Sequence, residues 1–159
     1  MYYTIYNCNF ATIILAGDEN GLTNLAFDVK GAKRKLQIQD SWQKNDEHFA
    51  DVKGQLDEYF AGSRKSFDVK LNPAGTEYQL KVWKALESIP YAQLRTYKDI
   101  ALAIGDKNAS RAVGSANGKN PIALIVPCHR VVGANDKLTG YAYGLELKKR
   151  LLDFEKEHA

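Results

Sequence analysis

An α+β fold is predicted, strands first and helices after, and three observations predict it. The first 27 residues are runs of aromatic and branched residues broken by an Asn-Gly turn signal. Beyond residue 75 the pattern changes to capped, amphipathic stretches of helical period. Between them Asn72-Pro73-Ala74-Gly75 interrupts the chain, so the sequence divides into units 1–74 and 75–159.

The first unit opens as a β-meander of Tyr2–Tyr6, Phe10–Ala16 and Leu22–Phe27, with Asp18-Glu19-Asn20-Gly21 turning the chain between the second and third strands. Lys30 to Asn45 is polar and without period, and reads as loop. Asp46 to Ala61 reads as a helix, because Phe49, Val52, Leu56 and Phe60 share one face and Gly62 follows as a stop. Phe67, Val69 and Leu71 alternate with polar residues as a short strand.

In the second unit Thr76-x-x-Gln79 is a capping box, opening a helix that carries Leu80, Trp83 and Leu86 and ends by Ile89-Pro90. Thr96 caps a short helix with Ile100, Leu102 and Ile104 inside, stopped by Gly105. Asn108 caps another, Ala109 to Asn117, stopped by Gly118. Two short helices joined by a tight Gly-containing turn make a helix-turn-helix pattern. Ala109, Ala112, Gly114 and Ala116 keep the second one thin, which suits close approach by a partner and equally suits close packing in a core. Leu145 to Glu157 is a last amphipathic helix with Leu151, Leu152 and Phe154 turned inward.

Composition narrows the function classes. Cys8 and Cys128 are the two cysteines and have unrelated surroundings; they give no disulfide framework, which points to a reducing, cytoplasmic setting. Cysteines and histidines form no spaced ligand pairs, so no metal is expected. No signal peptide and no membrane-spanning run are read. The net charge of +3 is unevenly spread: residues 1–69 carry 8 Lys+Arg against 10 Asp+Glu, and residues 70–159 carry 14 against 9. A basic second half suggests an acidic partner, nucleic acid first.

Chemistry concentrates at Pro127-Cys128-His129-Arg130-Val131, directly after the apolar run Ile122 to Val126, which reads as buried strand or buried helix. A sunk thiol is normally inert, because burial disfavours the thiolate. An imidazole nearby restores reactivity. Adjacent side chains in regular structure point apart, so relay through one water fits better than direct contact between Cys128 and His129. A working imidazole needs an acceptor on its second nitrogen. Asp99, Asp136, Asp153 and Glu155 are the carboxylates on offer, and the residues alone leave that choice open.

At this density of motifs the chain resembles the methylated-DNA–protein-cysteine methyltransferases. The resemblance rests on Gly75-Thr76-Glu77-Tyr78-Gln79, Val82-Trp83, Ile89-Pro90, Thr96-Tyr97, Ile100-Ala101, Arg111-Ala112-Val113-Gly114, Asn120-Pro121, Pro127 to Val131 and Gly140-Tyr141-Ala142, in that order. It covers residues 72–157 closely and the N-terminal part loosely. It implies a small ribonuclease-H-like sheet-and-helix domain over 1–74, followed by a winged-helix-like helix-turn-helix domain over 75–159. It also implies reversal of O6-methylguanine, and of O4-methylthymine, in double-stranded DNA, by irreversible one-time transfer of the alkyl group to Cys128.

What the resemblance implies for single residues is specific. Ser110, Arg111 and Ala112 lie against the minor groove, and Arg111 enters the base stack as the damaged nucleotide flips out. His129 is the base through a water, and Glu155 orients it. Tyr97 contacts the flipped guanine at N3 and the nearby phosphate, and Asn120 braces the active-site turn. Carbonyls of Cys128 and Val131 receive the guanine amine, while Tyr141, Ala142 and Tyr143 belong to the loop that closes on the base. Arg130 ties the turn to its neighbours. The family needs no cofactor, and the protein is expected to be a monomer away from membranes.

The chain departs from the family at three places. Ala92 stands where a turn glycine is usual, at a cost on the order of 1 kcal/mol if that position needs positive φ. Leu94 replaces a common threonine. Tyr143 replaces a frequent glycine, and its ring is expected either to narrow the pocket against large groups such as benzyl or to stack. Among other readings, alkyltransferase-like damaged-DNA binders carry tryptophan at the cysteine position, which Cys128 opposes. A cysteine hydrolase or a helix-turn-helix regulator has no further support in the residues.

Overall fold

The computed structural model describes residues 1–159. The elements run β1 (Tyr2–Asn7), β2 (Thr12–Asp18), β3 (Gly21–Asp28), β4 (Gln43–Lys44), α1 (Ala50–Phe60), α2 (Glu77–Glu87), β5 (Arg95–Thr96), α3 (Tyr97–Ala103), α4 (Ser110–Gly118), β6 (Val131–Val132) and α5 (Leu145–Glu157). The fold is the predicted α+β: a small sheet precedes a helical half.

The meander is antiparallel, with Ile5 opposite Ile14 and Leu15 opposite Leu25, and the sheet order is β3-β2-β1-β4. The Asn-Gly signal is realised, since Gly21 takes φ 135° and the Asn20 amide donates to Asp18 Oδ1. The segment read as loop contributes the two-residue β4, parallel to β1. The 46–61 stretch starts as a single 3-10 turn, Glu47–Phe49, and buries Phe49, Val52, Leu56 and Tyr59 while Phe60 is only half-buried.

Residues 67–71 do not form the predicted strand. They meet β3 at one bridge only: the Leu22 amide donates to the Lys70 carbonyl at 2.9 Å, and the Asn72 amide to the Leu22 carbonyl at 2.8 Å. The reason is competition for the same edge. Three residues along β3, the Leu25 amide donates to Pro121 and its carbonyl accepts from Ala123. The free edge of the sheet is thus covered partly by each half of the chain, which removes a row of unpaired groups. The apolar run after Asn120 is correspondingly neither strand nor helix. It is a buried turn in which Leu124 has φ 70° and the Val126 amide donates to the Ile122 carbonyl.

The capping boxes of α2 and α3 are both complete: Thr76 and Gln79 exchange bonds, and so do Thr96 and Asp99. Asn108 does not cap α4; Ala109 occupies that place, its amide donating to the Asp106 carbonyl at 3.0 Å. Leu102 is 52% exposed, because the seven-residue α3 has one inward face and Ile100, Ala101 and Ile104 fill it. Trp83 of α2 holds α4 by donating to the Ala116 carbonyl at 2.8 Å. A Cβ on Gly75 would lie 2.5 Å from that indole, so only glycine fits there. In α5 the inward stripe is Leu147, Lys148, Leu151 and Glu155, with Leu152 and Phe154 half-buried.

One continuous core joins both halves, running from Ile13, Leu25 and Tyr59 to Val82, Ile100, Val113 and Leu151. The last helix is seated on the sheet side. Phe154 packs on Phe10 at 5.4 Å between ring centroids, and the Arg150 guanidinium lies 4.7 Å over the Phe10 ring.

Candidate active site

Pro127 leads into a single 3-10 turn, Cys128–Arg130. At three residues per turn successive side chains fan roughly 120° apart, so neighbours in sequence diverge. Cys128 turns into a cavity, while His129 and Arg130 both reach Glu155 of α5.

Glu155 is fully buried and accepts from four residues. His129 Nε2 lies 2.8 Å from its Oε2. Arg130 donates from Nε to Oε1 at 2.8 Å and from Nη2 to Oε2 at 2.9 Å. The Tyr59 hydroxyl donates at 2.6 Å and the Ala92 amide at 3.3 Å. Burial alone would raise the Glu155 pKa, but His129 and Arg130 together outweigh it and hold the carboxyl well below its usual range. An ionised carboxylate can only accept, so Nε2 carries the imidazole proton and Nδ1 is left as a bare acceptor. Nδ1 is buried and has no protein partner. Burial, reinforced by the Arg130 and Lys148 charges, outweighs Glu155 and lowers the His129 pKa, so the ring stays neutral. Of the four carboxylates open in the sequence, Asp99 caps α3 and Asp153 pairs with Lys149 at 2.7 Å; Glu155 alone meets the imidazole.

Around the thiol, burial pushes the Cys128 pKa up, and Asn120, Lys148 and Tyr141 oppose that rise. Asn120 braces the turn: its Nδ2 donates to the Val126 carbonyl at 2.8 Å and its Oδ1 accepts the Ile122 amide at 3.0 Å. Lys148 is wholly buried and donates to the carbonyls of Val131 at 2.6 Å, Gly140 at 3.0 Å and Thr139 at 3.3 Å. Burial lowers its pKa to about 8, opposed by Cys128. Asn117 donates to the Cys128 carbonyl at 3.4 Å. Of the two carbonyls that the resemblance assigns to a guanine amine, that of Cys128 already accepts from Asn117 and from the Val131 amide, and that of Val131 accepts from Lys148.

The cavity over Cys128 measures about 340 Å³ and brings together Tyr97, Asn120, Cys128, Tyr141, Ala142 and Tyr143. Tyr97, the first residue of α3, donates its hydroxyl to Thr139 at 3.0 Å and faces Gly114 of α4, where a Cβ would still leave 3.8 Å to the ring. His129, Glu155 and Val131 lie buried behind it. Arg111 and Ala112 are exposed and Ser110 is half-buried at the start of α4, outside the cavity wall. Tyr143 is 2% exposed, edge-on to Phe27 at 5.4 Å and to Tyr141 at 5.6 Å. A larger cavity of about 450 Å³ lies on the other side of Tyr141 and Tyr143, which are walls of both.

Sequence reasoning missed Tyr59, Asn117 and Lys148. Lys148 had a usable signal, since it is three residues before Leu151 and falls on the apolar stripe of α5. Tyr59 had none, because its bond to Glu155 spans 96 residues of sequence.

Fold and site together define a class: a helix-turn-helix α+β protein in which a thiol opens on a cavity backed by an imidazole and a carboxylate. The family described as "6-O-methylguanine DNA methyltransferase, ribonuclease-like domain" matches residues 1–73, and "6-O-methylguanine DNA methyltransferase, DNA binding domain" matches residues 77–157. The chain is 57% identical over 155 residues to the methylated-DNA–protein-cysteine methyltransferase of Methanosarcina acetivorans, covering 98% of each. It is 44% identical over 157 residues to the constitutive methylated-DNA–protein-cysteine methyltransferase of Bacillus subtilis, covering 98% of this chain and 95% of the relative. A crystal structure of Mycobacterium tuberculosis OGT in complex with DNA aligns with a TM-score of 0.91 at 44% identity, over 100% of this chain and 95% of that one. This chain belongs to the methylated-DNA–protein-cysteine methyltransferase family. No helix is long and apolar enough to cross a membrane.

Proposed function

We propose that this protein removes the alkyl group from O6-methylguanine, and from O4-methylthymine, in duplex DNA, keeping it on Cys128. The observation that carries this is the row Cys128, His129 and Glu155, with a neutral imidazole whose Nδ1 is bare and whose Nε2 is anchored at 2.8 Å. The thiol proton passes through a water to Nδ1. The thiolate attacks the methyl carbon, the S–C bond forms as the C–O6 bond breaks, and the electron pair stays on guanine. Tyr97 lies on the cavity wall, where its hydroxyl can supply the proton that guanine takes at N3.

Delivery falls to α4. Its exposed start carries Ser110, Arg111 and Ala112, small residues flanking one unpaired arginine, which suits minor-groove approach with Arg111 filling the gap left by a flipped nucleotide. Residues 75–159 supply the thiol, the relay and α4. Residues 1–74 form the first unit, which buttresses the relay through Tyr59. The protein acts as a monomer in the cytoplasm. The product is a thioether, a poor leaving group, and no second nucleophile stands beside it, so each molecule acts once.

The test is intact mass after incubation with duplex DNA containing O6-methylguanine. One methyl gained per protein, mapped to Cys128 and absent in Cys128→Ala, is the expected result. Many repaired lesions per protein, or binding without any mass gain, would overturn it.

A further inference from the structure

The cavity over Cys128 carries a charge that methyl transfer does not use. Its wall includes Lys33, Arg34 and Lys119 and no carboxylate. Lys33 and Lys119 are exposed, whereas Arg34 is half-buried, has no ion-pair partner and lies near the Tyr143 hydroxyl. Its backbone is fixed to the loop over the thiol, because the Arg34 amide donates to the Ala142 carbonyl at 3.2 Å. The next residue, Tyr143, has a buried hydroxyl without a partner. Burial pushes that phenol up to about 12, with Arg34 opposing the rise by charge and as a nearby hydrogen-bond donor, and a Cys128 thiolate adding to it. Arg34, Tyr143 and Cys128 all line this one cavity, which puts the guanidinium, the phenol and the sulfur within electrostatic reach of one another. A partly desolvated guanidinium gains most from an oxyanion that accepts two of its N–H groups side by side.

We propose that Arg34 is a specificity residue that favours O6-alkyl groups ending in a carboxylate, of which O6-carboxymethylguanine is the smallest. This rests on Cys128 being the alkyl acceptor. Whatever is attached to the transferred carbon stays in the cavity with the sulfur, where Arg34 is the one half-buried cation on the wall. The chemistry is otherwise that of the methyl case. The thiolate attacks the methylene carbon, the C–O6 bond breaks with its electron pair left on guanine, and Cys128 becomes S-carboxymethylcysteine.

The test compares two adducts of nearly equal size in the same duplex, O6-carboxymethylguanine and its neutral amide O6-carbamoylmethylguanine, in wild type and Arg34→Gln. Rates are read as carboxymethyl or carbamoylmethyl gain on Cys128, with O6-methylguanine run alongside. The carboxymethyl-to-carbamoylmethyl rate ratio is expected to fall by about tenfold or more in Arg34→Gln, the size of one lost charge-assisted contact, and to be partly kept in Arg34→Lys. Phosphates are common to both substrates and cancel in the ratio. Equal slowing of both adducts would make Arg34 a DNA-backbone contact and overturn the inference, and so would an unchanged ratio. An unchanged ratio in Arg34→Gln, with wild type still gaining a methyl from O6-methylguanine, sinks this inference alone. A wild type inert to methylguanine sinks the alkyl-acceptor reading beneath it.

Discussion

Arg130 grips both oxygens of Glu155, Nε to Oε1 at 2.8 Å and Nη2 to Oε2 at 2.9 Å, and the carboxylate has no contact with water. The same arginine donates Nη1 to the Ile89 carbonyl at 2.8 Å and lies over the Tyr91 ring, so it ties the cysteine turn to the end of α2 and the turn after it. Its pairing explains why His129 need not be charged to stand beside a carboxylate. The guanidinium balances Glu155, and the imidazole is free to remain a base.

Replacing Arg130 tests that division of labour. Arg130→Met keeps the bulk but leaves Glu155 buried with no permanent positive partner, a situation that costs about 3–5 kcal/mol. The urea midpoint should fall accordingly. A loss under about 1 kcal/mol would mean that His129 takes up the proton and the role, which a titration of the imidazole by NMR would reveal.

The neutral imidazole also fixes how stability depends on pH. Burial lowers the folded-state pKa of His129, so below about 6.5 the unfolded chain binds a proton that the folded site refuses. Stability should therefore decline as pH falls from 6.5. A second decline follows below about 4.3, where the unfolded chain protonates the carboxylate that Glu155 keeps ionised when folded. His129→Gln should flatten the first decline and leave the second in place. Identical slopes for wild type and variant between pH 5 and 6.5 would show that the folded ring takes up its proton as readily as the unfolded one.

Ala92 takes φ 61°, a left-handed conformation that an L side chain enters at a cost of about 1–2 kcal/mol. The strain is tolerated because the Ala92 amide is one of the donors to Glu155. Ala92→Gly keeps that amide and removes the clash, but loosens the unfolded chain. A net gain of about 1 kcal/mol is expected, a rise of roughly 2–4 °C in Tm for a chain of this size. A lower Tm in the glycine variant would mean that the strain argument is wrong.

How much of this was legible depends on the range over which each signal acts. Thr76 and Thr96 announce their helices locally, and both capping boxes form, because a cap is settled within four residues. The Phe67–Leu71 strand failed because alternation says nothing about which edge is vacant, and β3 was already shared with Pro121 and Ala123. At the site, the pentapeptide around Cys128 stood out at once, whereas the Tyr59–Glu155 bond spans 96 residues of sequence and left no local trace. Lys148 and Glu155 were readable in principle. Both lie on the stripe defined by Leu147 and Leu151, and a charge on the buried face of an amphipathic helix requires a partner that the rest of the chain must supply.

Lys148 is the electrostatic support of the thiol. Its charge favours the Cys128 thiolate against burial, and its three carbonyl acceptors join Val131 to the 139–140 loop. Lys148→Met should move the pH midpoint of Cys128 alkylation by iodoacetamide upward, measured in a Cys8→Ser background so that one thiol is followed. It should also cost about 1–3 kcal/mol through the unsatisfied Val131 carbonyl. A midpoint that stays put while stability falls would reduce Lys148 to a purely structural tie.

Tyr143 separates two cavities, about 340 Å³ over the thiol and about 450 Å³ behind it, and its ring is held edge-on by Phe27 and Tyr141. A ring so packed cannot swing aside for a large adduct without opening the core. Tyr143→Gly should join the two spaces and let an aromatic group enter, raising the rate with O6-benzylguanine relative to O6-methylguanine. The same change removes a buried aromatic side chain at about 3–5 kcal/mol, so the rates belong at low temperature, where the variant stays folded. The ratio, rather than either rate, carries the result, because general loosening slows both substrates. A ratio equal to that of wild type would show that the ring is core filling and sets no limit on adduct size.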